Sequence, residues 1–148
     1  MASSRFAVAV HTLALLARAE GQPLDSRAIA HSVNTNPVVI RRALCALARA
    51  RVIRVRRGAG GGAALARAPH EITLLDIYRA VNGGAAFALH PAPQRRCPVG
   101  RSIHAVLCWV QDEIDAAVQR TLAEITLQDV VDRLQTGRRP TPTRGRKR

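Results

Sequence analysis

Asn34-Thr35-Asn36-Pro37-Val38-Val39-Ile40-Arg41-Arg42 opens a helix whose reading decides the fold. Asn36 suits the N-cap, where a short side-chain oxygen accepts an orphan backbone N–H. Pro37 suits the first helical position, which needs no donor. The helix predicted from this start runs to about residue 50. Ile40, Leu44 and Leu47 then share one face and should point into a core. Val38, Arg42, Cys45 and Arg49 fall roughly opposite, with Arg41 at the edge.

Upstream, a first helix is predicted over residues 4–18, capped by Ser3 or Ser4, with Phe6, Val10, Leu13 and Leu16 as its buried stripe. Glu20-Gly21-Gln22-Pro23 ends it, and Asp25 or Ser26 caps a short second helix carrying Ile29 and Val33. Downstream, Val52-Ile53-Arg54-Val55 is β-branched and short, so it reads as a strand. Gly58-Ala59-Gly60-Gly61-Gly62 is a turn, and residues 63–65 return as a second, weak strand. Two short helices, a third helix and a β-hairpin make a winged helix-turn-helix.

Beyond it, Thr73 caps a helix over residues 74–81, stopped by Asn82-Gly83-Gly84, and a loop with Pro91 and Pro93 follows. A long helix is predicted over residues 99–125. Ile103, Leu107, Val110, Ile114 and Ala117 alternate at steps of four and three, a coiled-coil-like seam. Such a helix is about 38 Å long, more than so small a domain needs, which favours a dimerisation role over packing on its own domain. Thr126 caps a last helix through residue 134. The expected architecture is mainly α: a winged helix-turn-helix head over residues 1–84, a loop, long dimerisation helix and short C-terminal helix over 85–135, and a disordered basic tail over 136–148.

The charge balance points to a polyanion. The 148-residue chain carries a net +13, which favours nucleic acid first and a membrane surface second. Six positive charges fall in the tail (Arg138, Arg139, Arg144, Arg146, Lys147 and Arg148), and the body keeps +7 without them. Three cysteines, Cys45, Cys97 and Cys108, are too few and odd in number for a disulfide framework and suit a reducing cytoplasm. The start of the chain resembles an export signal, with Arg5 before an apolar stretch and Ala17-Arg18-Ala19 behind it. His11 and Thr12 interrupt that stretch, and the stripe spacing favours an amphipathic helix in a cytoplasmic protein.

The third helix should enter the major groove with its N-terminal end, where arginine pairs with guanine through two hydrogen bonds. Arg41 and Arg42 are the candidates for base reading, within a DNA-binding set of Ser26, Thr35, Asn36, Pro37, Val38, Arg41, Arg42, Arg56, Arg57, Gly58 and Gly60. Thr35 and Asn36 can reach phosphates. Arg56 and Arg57 flank the glycine turn, where a wing approaches the backbone or minor groove. The glycines are not a nucleotide-binding loop, because no Lys-Ser or Lys-Thr and no helix follow them. No acid–base pair, nucleophile motif or metal-ligand spacing suggests an enzyme.

The chain resembles the Rrf-type (Rrf-two) family of winged-helix transcriptional regulators. The resemblance rests on Ser4-Arg5-Phe6-Ala7 with Val10 to Leu16, on Leu24 to Arg42 with Leu47, on the Arg57-Gly58-Ala59-Gly60-Gly61-Gly62 wing with Leu65-Ala66, and on Ile72-Thr73-Leu74-Leu75-Asp76-Ile77-Tyr78-Arg79-Ala80-Val81. It covers about residues 3–125. It implies dimers with two DNA-binding heads and a long crossing helix, acting on promoters in response to cluster loading, nitric oxide, thiol state or a metabolite. Cluster-binding members carry three neighbouring cysteines, and this chain has only Cys97 and Cys108 in that region, with His90 and His104 as further donors. It looks like the cluster-lacking branch, so no cofactor is expected.

Cys97, at a helix start near Arg95, Arg96 and Arg101, is the candidate redox thiol, with a packing role as the alternative. Cys108 lies among apolar residues and reads as packing. The expected protein is a cytoplasmic homodimeric repressor that binds a near-palindromic operator in double-stranded DNA and answers a redox or small-molecule effector. The rival readings are an iron–sulfur or nitric-oxide sensor of the same fold, a non-specific architectural DNA-binding protein, and a membrane-surface protein using the tail.

Overall fold

The computed structural model describes residues 4–82, 88–89 and 91–137. Six helices and one two-stranded sheet follow in order: α1 (Arg5–Arg18), α2 (Ser26–Val33), α3 (Pro37–Arg49), β1 (Ile53–Arg56), β2 (Gly62–Leu65), α4 (Leu74–Val81), α5 (Pro98–Ala123) and α6 (Leu127–Thr136). A 3-10 turn, Pro69–Glu71, leads into α4.

Helix α1 sits at the centre and touches α2, α3, α4, α6 and β2. Its buried side is broader than a stripe. Ala9, Thr12, Leu13, Ala14 and Leu16 are buried, while Phe6 and Val10 pack on the core from its edge. Thr12 is the surprise, fully buried with its hydroxyl unpartnered. Ser4 stands at the N-cap, but its side chain makes no capping bond. Ile29, Ile40, Leu44, Leu47, Val52, Ile72, Ile77 and Leu127 complete the core with α1. Phe6 meets Tyr78 of α4 edge-on, with ring centroids 5.7 Å apart.

The caps explain where the helices start. Asp25 accepts from the N–H groups of Arg27 and Ala28 and opens α2. Asn34 ends it in the left-handed conformation, which asparagine tolerates. Two residues later Asn36 accepts from the Val38 N–H at 2.8 Å and, with Pro37, opens α3. Thr73 and Asp76 form a reciprocal capping box at the start of α4, as do Thr126 and Asp129 at the start of α6. The two boxes stand side by side. Thr73 and Thr126 form an antiparallel bridge, the Leu74 N–H donates to the Ile125 carbonyl, and the Leu127 N–H donates to the Ile72 carbonyl.

The wing starts one residue later than its β-branched run. Val52 is buried beneath it, and β1 extends to Arg56 because Arg56 pairs with Gly62. Helix α5 ends at Ala123, short of residue 125, because Ile125 has joined the bridge to α4. Helix α6 runs two residues beyond 134, to Thr136, and Gly137 caps it in the left-handed conformation. Gly83, Gly84, His90 and the basic stretch 138–148 lie outside the described residues.

Candidate nucleic-acid interface

Helix α3 presents two contrasting faces. Ile40, Leu44 and Leu47 are buried, and Val38, Arg42, Cys45 and Arg49 are exposed on the opposite side. Arg41 is exposed beside them. The N-terminal end of this face carries Val38, Arg41 and Arg42 within about one turn.

The wing packs beside this helix, where β1 contacts α3. Strands β1 and β2 pair in register, Ile53 with Leu65 through Arg56 with Gly62. The turn closes with the Gly61 N–H donating to the Gly58 carbonyl at 3.0 Å, and Gly58 and Gly60 take positive φ. Leu24, just ahead of α2, forms a bridge to Ala63 on the other side of β2. A Cβ at Gly62 would lie 2.5 Å from the Leu24 carbonyl oxygen, so only glycine lets these two backbones meet.

Between α3, the start of α2 and the wing lies a cleft of about 650 Å³. Leu24, Leu44, Ala48, Val55 and Ala63 supply its apolar lining. Arg41, Arg49, Arg56 and Arg57 bring cations, with Ser26, Cys45 and Gly58 between them. Of the expected set, the cleft gathers Ser26, Arg41, Arg56, Arg57 and Gly58. Thr35, Asn36, Pro37, Val38 and Arg42 sit outside it at or near the leading end of α3, and Gly60 lies at the wing tip. The Asn36 side-chain oxygen is engaged in capping, which leaves its amide to donate elsewhere.

Among the cleft residues that the expected set lacks are Arg49 and Leu24. Arg49 was legible as the position seven beyond Arg42 on one helix face. Leu24 bears no pattern that marks it. A broader signal was also present. Between Asp25 and Glu71 the chain carries nine arginines and no acidic residue. The cleft therefore sets four arginines against one carboxylate, that of Asp25, whose Oδ1 accepts the capping N–H groups of α2. A concave surface of this kind attracts a polyanion and steers its approach.

Helix α5 differs from every other helix in having no buried residue along its 26 positions. Val99 is 67% exposed, Trp109 62%, Val106 49% and Ile114 38%. Its C-terminal part is tied to α4, where Arg79 donates to Gln119 at 2.8 Å.

The comparisons agree with this architecture. The model of the Rrf2 family, described as an iron-dependent transcriptional regulator, matches residues 2–133. The HTH-type transcriptional regulator YwnA of Bacillus subtilis (strain 168) is 41% identical over 135 residues, covering 90% of this chain and 99% of that protein. A crystal structure described as a DNA-binding protein is 39% identical, covers 86% of this chain and 98% of its own, and superposes with a TM-score of 0.69. The structure of CymR (YrzC), described as the global cysteine regulator of B. subtilis, is 25% identical, covers 89% and 96%, and has a TM-score of 0.64.

An iron–sulfur cluster does not fit the described residues. Such clusters are held by thiolates converging on one centre. Cys45 lies on α3, Cys97 caps α5, and Cys108 stands roughly 16 Å further along the same helix. Among the described residues no group of three or more His, Cys, Asp or Glu converges on one point.

Proposed function

Because this chain belongs to the Rrf2 family of transcriptional regulators, it is a DNA-binding regulator rather than an enzyme, and we propose that it acts as a homodimeric repressor on a near-palindromic operator. The observation that carries the reading is the cleft between α3 and the wing, whose arginines face no counter-charge beyond the capping Asp25. In this reading α3 enters the major groove leading with Val38, Arg41 and Arg42. The two arginines pair with guanine, and Val38 meets a thymine methyl, the apolar group of that groove. Ser26, Thr35 and the Asn36 amide bind phosphate at the helix ends. Arg49, Arg56 and Arg57 hold the backbone as it passes the cleft, with Gly58 and Gly60 allowing the wing tip to come close.

The dimer follows from α5. A 26-residue helix without a buried residue leaves an apolar stripe in which Val99, Val106 and Ile114 are exposed and Ile103, Leu107 and Val110 half-buried. A second copy of the same stripe covers it most simply, and a twofold axis there gives two heads and a near-palindromic site. No helix among the described residues is long and apolar enough to cross a membrane, and a cytoplasmic setting accords with a DNA target. The exposed thiol of Cys97 at the start of α5, with no capping bond of its own, is the candidate redox-responsive group. Replacing it by serine should abolish any difference in operator affinity between oxidant and reductant.

The deciding experiment is anisotropy of the full chain on DNA from upstream of its own gene, at physiological salt, with reductant and scrambled competitor. Binding that resists competitor supports a site-specific regulator. Binding erased by competitor, on this DNA and on sequences selected from a random pool, overturns it in favour of a non-specific architectural role.

A further inference from the structure

His104 and Cys108 lie one turn apart on α5, with the Cys108 Sγ 3.6 Å from the His104 Nδ1. His104 is exposed and Cys108 half-buried. A tetrahedral ion bound to one imidazole nitrogen at about 2.0 Å and one thiolate at about 2.3 Å holds those donors roughly 3.5 Å apart. The pair therefore already stands at the bite of a chelate. The helical backbone keeps the two residues one turn apart, and their side chains already meet in a hydrogen bond across that turn. Asp112 and Asp115, on the next turns, add negative charge on the same side of the helix.

We propose that His104 and Cys108 form a two-ligand site for a borderline divalent metal ion of the zinc type. Thiolate with imidazole favours Zn²⁺, Co²⁺ or Ni²⁺ over Mg²⁺ and Ca²⁺. On binding, the Cys108 thiol releases its proton to solvent and its sulfur forms the metal bond. The neutral His104 ring donates the Nδ1 lone pair and keeps its proton on Nε2. No oxidation state changes. The pair sits roughly 130° around the helix from the centre of the apolar stripe, so a second copy docked on that stripe does not supply the remaining ligands. Those positions stay open to water or a small exogenous ligand, and the stoichiometry is one ion per chain. The site is separate from the cleft and does not depend on how DNA is bound.

The test is a cobalt titration of the full, reduced chain, following the near-ultraviolet thiolate-to-cobalt charge-transfer band. It should saturate at one Co²⁺ per chain and be displaced by Zn²⁺. Cys108→Ser should abolish the band, His104→Ala should weaken binding on the order of tenfold or more, and Cys97→Ser should leave it unchanged. A second readout needs no substitution: Zn²⁺ should protect Cys108, and not Cys45 or Cys97, from alkylation. The proposal is overturned by the absence of a band at millimolar cobalt, by a band that survives Cys108→Ser, by unaltered affinity in His104→Ala, by half an ion per chain, or by unprotected Cys108.

Discussion

Leu24 and Ala63 exchange both of their backbone hydrogen bonds, the Leu24 N–H donating at 3.0 Å and the Ala63 N–H returning the bond at 2.8 Å. Ala63 also pairs with Val55 in the wing, so this one residue joins the wing to the segment that starts α2. The link between the wing and the start of α2 is thus made by peptide groups. Gly62 makes the approach feasible, and its φ of +146° is one that other residues rarely adopt. Gly62→Ala should destabilise the chain by on the order of 1–3 kcal/mol and weaken operator binding. Urea denaturation and anisotropy measure the two effects, and unchanged values in both would contradict the role given to this contact.

The arginines should divide by what they touch. Arg41→Ala or Arg42→Ala should cost about 1–3 kcal/mol on the preferred site and relax discrimination at one base pair. Arg56→Ala or Arg57→Ala should weaken all sequences alike and lower the salt slope by about one. Removing residues 138–148 should flatten that slope and leave sequence preference intact. Selection from a random DNA pool at two salt concentrations separates the classes.

Charge placed in the α5 stripe should break the proposed dimer without unfolding the core, since Val106 is exposed and stands outside the core cluster. Val106→Glu should run as a monomer in sedimentation velocity, with an unchanged helical signal. Its affinity for a two-half-site operator should fall by about 10²-fold through lost avidity. A dimer that persists would place the contact elsewhere.

Thr12 should be improvable. Its buried hydroxyl has no partner, and valine has nearly the same shape without the polar group. Thr12→Val is expected to raise stability by about 1 kcal/mol, read as a higher urea midpoint at constant slope. A lower midpoint would mean that the hydroxyl has a partner in solution.

Asp129 gives the fold an acid-sensitive joint. The backbone N–H and the hydroxyl of Thr126 both donate to its carboxylate at 2.8 Å and hold its pKa below the ordinary value, with help from Arg133 and against partial burial. A group depressed in this way stabilises the folded state above the ordinary carboxylate pKa, and the contribution is lost as pH falls through the folded value. The stability gap between the parent chain and Asp129→Asn should be below about 1 kcal/mol at neutral pH, because solvent screens the site. It should close as pH drops below about 4. A gap independent of pH would refute the assignment.

Much of this architecture was legible because it rests on local chemistry. Asn36 and Pro37 announce α3, Thr73 announces α4, and Ile40, Leu44 and Leu47 repeat at helical spacing. What escaped is what depends on distant partners. The Leu24 bridge involves one residue with no periodicity. Thr12 reads as polar, yet five elements pack around the helix that carries it. The end of α5 is set by Ile125 leaving to bond Leu74, which no terminating residue foretells. Within the candidate interface, the outward face of α3 was readable from spacing. Its union with Ser26 and the wing in one cleft was not, because the Leu24 bridge that joins them has no sequence signature.

The bridge between Thr73 and Thr126 has a consequence for how the molecule comes apart. A terminal helix ordinarily frays on its own, ahead of the rest. Here the strand of chain entering α6 is stitched to the strand entering α4, and Leu127 belongs to the same core cluster as Leu13 and Ile77. Peeling α6 away therefore opens the core that it shares with α1 and α4. Amides at the start of α6 should exchange with solvent only as fast as those of α1, so that α6 and α1 behave as one cooperative unit.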